Sequence, residues 1–295
     1  MAAHVERVGD LACTVGEGPV WSARENAWFW VDIPAKRIWK LAASSGAVRF
    51  WNTHEMPACL ALTASGGMIA GMETGVFSLL LDDGDTALAR LLDAPAELLP
   101  GARFNDGRCD RQGRFWSGIM TMDNPTGKAD GHLYRFDSVK GMSAPVVSGL
   151  ITQNGLAFSP DGATMYLSDS HASSQMIWAF DYDGESGTPS KRRVFVDMNR
   201  HPGRPDGAAM DADGCYWICG NDAGVLLRFT PDGTLDRTIK VPMAKPSMCA
   251  FGGPELDRLL VTSIAAGAPA GDELAGATVI VDAGVKGYPE TPFLL

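Results

Sequence analysis

At 295 residues the chain exceeds one small sandwich but suits a single repeat-built domain over residues 1–295, with ample length for a large core. An apolar share of 45% and a charged share of 20% are those of an ordinary globular protein, and 34 glycines with 18 prolines imply many turns between short strands. A net charge of −10 with no basic cluster argues against nucleic acid as a partner, and no run approaches the ~20 apolar residues of a membrane span.

The opening Met1-Ala2-Ala3-His4-Val5-Glu6-Arg7 lacks the basic-then-apolar order of a secretory signal, so a cytoplasmic protein is expected. A pattern then recurs along the chain: a polar turn followed by a short aromatic and aliphatic strand. It runs through Ser22-Ala23-Arg24-Glu25 before Trp28-Phe29-Trp30-Val31, and Ala64-Ser65-Gly66 before Met68-Ile69-Ala70. It continues with Asp110-Arg111-Gln112-Gly113 before Phe115-Trp116, and Ser159-Pro160-Asp161-Gly162 before Met165-Tyr166-Leu167. The last copies are Asp211-Ala212-Asp213-Gly214 before Cys215-Tyr216-Trp217-Ile218, and Gly253-Pro254-Glu255-Leu256 before Leu259-Leu260-Val261.

Anchored on residues 25, 66, 113, 162, 214 and 256, the copies lie 41 to 52 residues apart, close to the roughly 40–50 residues of a four-stranded propeller blade. Each anchor reads as the hairpin between a blade's inner and second strands. Third strands follow at Arg37–Leu41, Gly75–Leu79, His132–Phe136, Met176–Phe180 and Val225–Phe229, alternating apolar with polar or small residues. The pattern predicts an all-β, six-bladed β-propeller. To hide the edge of the last blade, His4–Val8 is expected to pair beside Thr278–Asp282.

Some seven residues before the anchors stand Glu17-Gly18, Asp106-Gly107, Asn154-Gly155 and Asp206-Gly207. Taken singly, such pairs are common turn dipeptides. Four of them near the starts of inner strands, related by rotation about one axis, are expected to aim oxygen-bearing side chains at the channel. Clustered carboxylates repel and desolvate one another, and no lysine accompanies the motifs, although Arg103 and Arg204 lie nearby. One divalent cation is therefore expected. Oxygen donors favour Ca²⁺, Mg²⁺ or Mn²⁺, with Zn²⁺ or Fe²⁺ open alternatives, and a structural zinc site is excluded by the absence of Cys and His from the set.

The segments Gly16-Glu17-Gly18-Pro19-Val20-Trp21, Arg103-Phe104-Asn105-Asp106-Gly107, Asn154-Gly155-Leu156-Ala157-Phe158-Ser159 and Pro205-Asp206-Gly207 resemble the signatures of the regucalcin (senescence-marker)/gluconolactonase family. Val31-Asp32-Ile33 and Phe251-Gly252-Gly253-Pro254 fit as well, and the match runs in order from about residue 14 to 265. The resemblance implies a metal-dependent hydrolase that opens a sugar lactone to an aldonic acid. It implies Glu17, Asn154 and Asp206 as metal ligands, with Asp206 also the general base. Arg103 and Asn105 are implied to hold the substrate, and Asp106 to belong to the same substrate site and orient its neighbours. Where the family often carries a Glu, this chain has Met122, with Asp123 beside it as a substitute.

Alternatives on the same scaffold are a phosphotriesterase or another ester hydrolase, and a non-enzymatic interaction propeller. The expected partner is a small-molecule sugar lactone, and the expected assembly a monomer or small homo-oligomer. His171 and His201 fall in loops that could rim the pocket, whereas His4, His54 and His132 have no supporting pattern. Cys13, Cys59, Cys109, Cys215, Cys219 and Cys249 lack metal-finger spacing and read as reduced core thiols. The eight tryptophans mostly fall in strands, where packing accounts for them.

Overall fold

The computed structural model describes residues 4–294. Six antiparallel sheets follow one another around an axis as a β-propeller, each laid down from the inside outward. Blade 1 comprises Gly16–Ser22, Ala27–Asp32, Arg37–Ala42 and Val48–Asn52; blade 2, Cys59–Leu62, Met68–Gly71, Val76–Leu80 and Leu88–Asp93. Blade 3 has Ala102–Cys109, Phe115–Thr121 and Gly131–Asp137, with an outer edge split into Gly141–Met142 and Val147–Leu150. Blade 4 comprises Gln153–Phe158, Thr164–Asp169, Met176–Asp183 and Thr188–Asp197; blade 5, Arg204–Met210, Tyr216–Asn221, Val225–Phe229 and Leu235–Lys240. The one helical element among the described residues is a single 3-10 turn, Met198–Arg200.

All six expected hairpins are present, and their chemistry explains the repeat. The chain turns through a left-handed residue in each: Gly66, Gly113, Gly162 and Gly214, with Asn26 and Leu256 in the copies whose anchor is not glycine. The aspartate that opens two of the turns is fully buried. Asp110 accepts the Gln112 and Arg114 N–H groups through Oδ1 and the Trp116 Nε1–H through Oδ2. Asp211 does the same for Asp213 N, Cys215 N and Trp217 Nε1, and pairs with Arg228 Nε at 2.7 Å. A buried carboxylate thus ties its turn to the tryptophan of the next strand, and the charge is offset by donors on every side.

Blade 6 is closed by the N-terminus. Val5–Arg7 pairs antiparallel with Val279–Asp282, which in turn pairs with Arg258–Ser263 and so with Pro246–Gly252. The predicted closure is therefore present, and it hides the last edge. Deleting residues 1–10, of which 1–3 lie outside the described residues, is expected to lower the melting temperature by about 5 °C or more. Calorimetry on the truncated chain checks this, and an unchanged melt would show that the ring closes without the strand.

A feature the sequence did not announce lies at the hairpin end of the channel. Residues 284–294 cross that end as a strap. Ala212 N–H donates to Lys286 O, Tyr288 N–H to Met210 O, Phe293 N–H to Leu62 O and Leu294 N–H to Gly113 O. Phe293 is fully buried and stacks on Phe136 at 5.6 Å. A cavity of about 410 Å³ lies between the strap and the late parts of the inner strands, walled by Trp21, Leu60, Met248, Phe251 and Pro289. Within it Arg108 pairs with Glu290 of the strap at 2.9 Å. The six cysteines are free and buried, as expected. All eight tryptophans lie in strands.

Candidate functional site

The opposite end of the channel, where the inner strands begin, carries the predicted site residues. In five blades the inner strand holds one extra residue relative to its partner. Glu17 and Val20 pair with Val31 and Phe29, Phe104 and Gly107 with Ile119 and Ser117, and Asn154 and Ala157 with Ser168 and Tyr166. Likewise Pro205 and Ala208 pair with Gly220 and Ile218, and Pro246 and Cys249 with Ser263 and Val261. Such a bulge bends the strand and re-aims its side chains, so neighbouring residues can face the axis where strict alternation would turn one away. The inner strand of blade 2, Cys59–Leu62, pairs without a break and supplies no oxygen donor.

The bulges correct the expectation that the four motifs share one register. Glu17 and Asn154 occupy the last paired position before the bulge, each followed by a glycine in the left-handed region, Gly18 at φ 55° and Gly155 at φ 59°. Asn105 and Asp206 are the first residues inside it, and Asp106 is the second. The four motifs thus spread over adjacent positions, because counting back from a hairpin is blind to where the extra residue is inserted. Gly207 is small for another reason: a Cβ there would stand 2.4 Å from Met248 Cγ.

Hydrogen bonds join these residues across blades. Asn105 Nδ2 donates to Asn154 Oδ1 at 2.9 Å and to Gln153 O at 2.7 Å, while its Oδ1 accepts from Arg103 Nη1 at 2.7 Å. Both amide hydrogens of Asn105 are therefore committed to the protein, and what it offers a ligand is a lone pair on Oδ1. Asn154 Nδ2 donates to Ser170 Oγ at 2.8 Å, which turns its carbonyl oxygen away from Ser170 and toward Asn105. Asp206 Oδ2 accepts from Asn221 Nδ2 at 2.6 Å. Asp106 Oδ2 accepts the Leu156 N–H of blade 4 at 2.8 Å, whereas its Oδ1 is buried without a hydrogen-bond partner.

Glu17, Asp106 and Asp206 are all buried. Burial above all, then the charges of Asp206 and Asp106, push Glu17 well above the usual carboxylate range, and the Gly18 N–H and Arg103 offset only part of this. Burial likewise raises Asp206 to about 7 against the pull of Arg204 and Asn221, with Asp106 and Asp222 adding to the rise. Asp106 is raised by burial and moderated by Arg108. Of the three guanidiniums that act on these carboxylates, Arg204 is paired with Asp222 at 2.6 Å and Arg108 with Glu290 at 2.9 Å. This leaves Arg103 against three mutually repelling carboxylates and an excess of negative charge at the axis. That excess, the unpartnered Asp106 Oδ1 and the all-oxygen donor set fit a divalent cation held by Glu17, Asn154 and Asp206. Among the described residues no group of three His, Cys, Asp or Glu side chains is placed to hold a metal ion, so the set depends on the amide oxygen of Asn154.

Other expected residues stand apart. Met122 is 45% exposed and Asp123 is exposed, and neither bonds to the axial groups. His171 bonds to Ser173 and abuts Gly127, and His201 sits edge-on to Phe229 at 5.1 Å. Sequence reasoning missed Ser170 and Asn221, which hold Asn154 and Asp206. For Asn221 the signal was present as a second repeat at the ends of the second strands, Val31-Asp32, Ser168-Asp169 and Gly220-Asn221, and Ser170 stands one residue beyond its copy. Asp32 and Asp169 use that position to accept backbone N–H groups of the incoming loops, Thr14 and Val15 or Ile151 and Thr152.

Comparison with known proteins finds the SMP-30/gluconolactonase/LRE-like region matching residues 15–265. A 6-deoxy-6-sulfogluconolactonase of Pseudomonas putida is 40% identical over 84% of this chain and 83% of its own. A pentonolactonase of Haloferax volcanii is 33% identical over 97% of each chain. The crystal structure of regucalcin from Agrobacterium tumefaciens, a calcium-binding protein, superposes with a TM-score of 0.91 at 26% identity, covering 100% of this chain and 99% of that one.

Proposed function

The chain belongs to the SMP-30/gluconolactonase/LRE-like family, and we propose that it is a sugar lactonase, hydrolysing an aldonolactone to its aldonic acid at the inner-strand end of the channel. The observation that carries this reading is the axial set itself. Glu17, Asn154 and Asp206 lie together with Arg103 and Asn105, in a chain whose relatives are named for lactone substrates. Residues 1–295 are read as one domain serving this one site. Among the described residues no helix is long and apolar enough to cross a membrane. With six unbridged thiols, we read the protein as cytoplasmic.

Bound by Glu17, Asn154 and Asp206, a divalent cation would supply a Lewis acid for the lactone carbonyl and for the attacking water. The chain's own groups do the rest. Asp206, its Oδ2 engaged by Asn221, is the carboxylate beside the attacking water and takes its proton. Arg103 spends Nη1 on Phe104 O and Asn105 Oδ1, leaving its other N–H groups for the hydroxyls of the ring. A site that spends buried donors on hydroxyls rejects lactones that lack them. Asp106 holds blade 4 against blade 3 through Leu156 and keeps negative charge beneath the site.

Lactone opening followed by proton release tests this reading, on five- and six-carbon aldonolactones with EDTA-stripped protein given Ca²⁺, Mg²⁺, Mn²⁺, Zn²⁺ or Fe²⁺ in turn. The expected result is metal-dependent opening of at least one aldonolactone well above its spontaneous rate. No opening with any metal, together with turnover of a phosphotriester, would move the assignment to that chemistry.

A further inference from the structure

We infer that Arg204 and Asn221 form a positioning relay that decides which oxygen of Asp206 faces the axis, an inference that rests on the role of Asp206 proposed above. Asn221 ends the second strand of blade 5, is 1% exposed, and donates from Nδ2 to Asp206 Oδ2 at 2.6 Å. A primary amide has one accepting and one donating face, so a flipped Asn221 would set its oxygen against the carboxylate. Arg204 excludes the flip. Its Nη2 donates to Asn221 Oδ1 at 3.3 Å, and a guanidinium has donors alone, so the amide oxygen is bound to face it.

Arg204 is itself anchored. Its Nε donates to Asp222 Oδ2 at 2.6 Å and its Nη1 to Ser170 O at 3.2 Å. Ser170 Oγ in turn accepts from Asn154 Nδ2, so one guanidinium steadies the neighbours of two candidate ligands. With Oδ2 engaged, Asp206 presents Oδ1, which has no hydrogen-bond partner among the described residues. The opposite side of the site is built alike: Arg103 faces the oxygen of Asn105, whose amide hydrogens go to Asn154 Oδ1 and Gln153 O. Two arginine–asparagine pairs, each aiming an amide at a candidate ligand, hold the set in one orientation before any ligand arrives.

The test is a double-mutant cycle of Asn221→Leu, Arg204→Gln and the pair, with Asp206→Asn beside it. Mn²⁺ binding to the stripped protein is read by calorimetry and lactone kinetics at saturating metal. Asn221→Leu is expected to weaken Mn²⁺ by about 10–100-fold. It should also lower kcat about tenfold or more, with KM changed by less than about threefold. Arg204→Gln is expected to act in the same direction by about three- to tenfold, and to lose most of that cost once Asn221 is already replaced. Wild-type Mn²⁺ affinity and kcat in Asn221→Leu, or full additivity of the two changes, overturns the relay. If Asn221→Leu does not fold, Asn221→Ser carries the same cycle. An active, metal-binding Asp206→Asn would instead overturn the role of Asp206, whereas an inactive Asp206→Asn beside a normal Asn221→Leu would remove the relay alone.

Discussion

Replacing Asp206 by Asn is expected to leave the propeller folded and to lower kcat/KM by about 10²–10⁴-fold, the range over which a positioned general base acts. The substitution is isosteric, and an amide at this position can turn its oxygen to the Asn221 donor that Asp206 Oδ2 now accepts. It also removes one of three buried carboxylates whose charges raise one another. The metal-free variant should therefore melt no lower than the metal-free wild type, even as activity collapses. Calorimetry in EDTA beside steady-state kinetics distinguishes this from unfolding. Saturating Mn²⁺ then separates the two functions proposed for the residue: recovery at high metal would mean that Asp206 only binds the cation, and persistent loss that it also takes the proton. Near-normal turnover without added metal would sink both assignments.

The second large effect concerns pH without metal. Metal-stripped protein is expected to be several degrees more stable at pH 5.5 than at pH 8, and a bound divalent cation should erase most of the difference. The sign follows from linkage. Glu17 and Asp206 have folded-state pKa values above those of the unfolded chain, Asp206 at about 7. Between about pH 4 and 7 the folded state holds protons that the unfolded state has released, so stability falls as pH rises, by about 1.4 kcal/mol per unit for each such group. Below the unfolded pKa both states are protonated, and the full stabilisation is present. The exposed carboxylates whose pKa is lowered by their own turns, such as Asp161 and Asp183, titrate below this window and have the opposite slope. A cation among the three axial charges removes the reason for holding protons, which flattens the profile. Melting curves in EDTA at the two pH values check this, and equal melts or a higher melt at pH 8 would show that the axial charges are already balanced.

Much of the fold was legible because a propeller repeats locally. Asp110, Asp161 and Asp211 each open or occupy a turn, a left-handed residue closes it, and an aromatic strand follows, which is a pattern within ten residues of chain. The closing strand Val5–Arg7 was legible because an unpaired last edge demands a partner. Residue types near the axis were legible because the inner strands of a rotational repeat converge on one line, although the four motifs stand at three adjacent positions about the bulge. The strap over residues 284–294 was not, since its anchors are backbone groups at Met210, Leu62 and Gly113 that carry no mark in sequence.

The sequence by itself determined six blades, their hairpins and their order, and its repeat pointed to Glu17, Asp106, Asn154 and Asp206 as oxygen-bearing residues for the axis, with Asn105 added by the family resemblance. Alternation of strands, turn chemistry and repeat spacing depend on neighbours along the chain, so they can be read from it. Tertiary structure decided the rest: which residues stand inside a bulge, that Asn105 spends its amide hydrogens on Asn154 and Gln153, and that Arg204, Asn221 and Ser170 hold the ligand carriers. Several of these contacts join residues far apart in the chain, Asn105 to Asn154 at 2.9 Å and Arg204 to Ser170 at 3.2 Å, the span of one hydrogen bond. An inserted bulge residue changes which of two neighbours points inward without changing composition or period, so only the closed ring settles it.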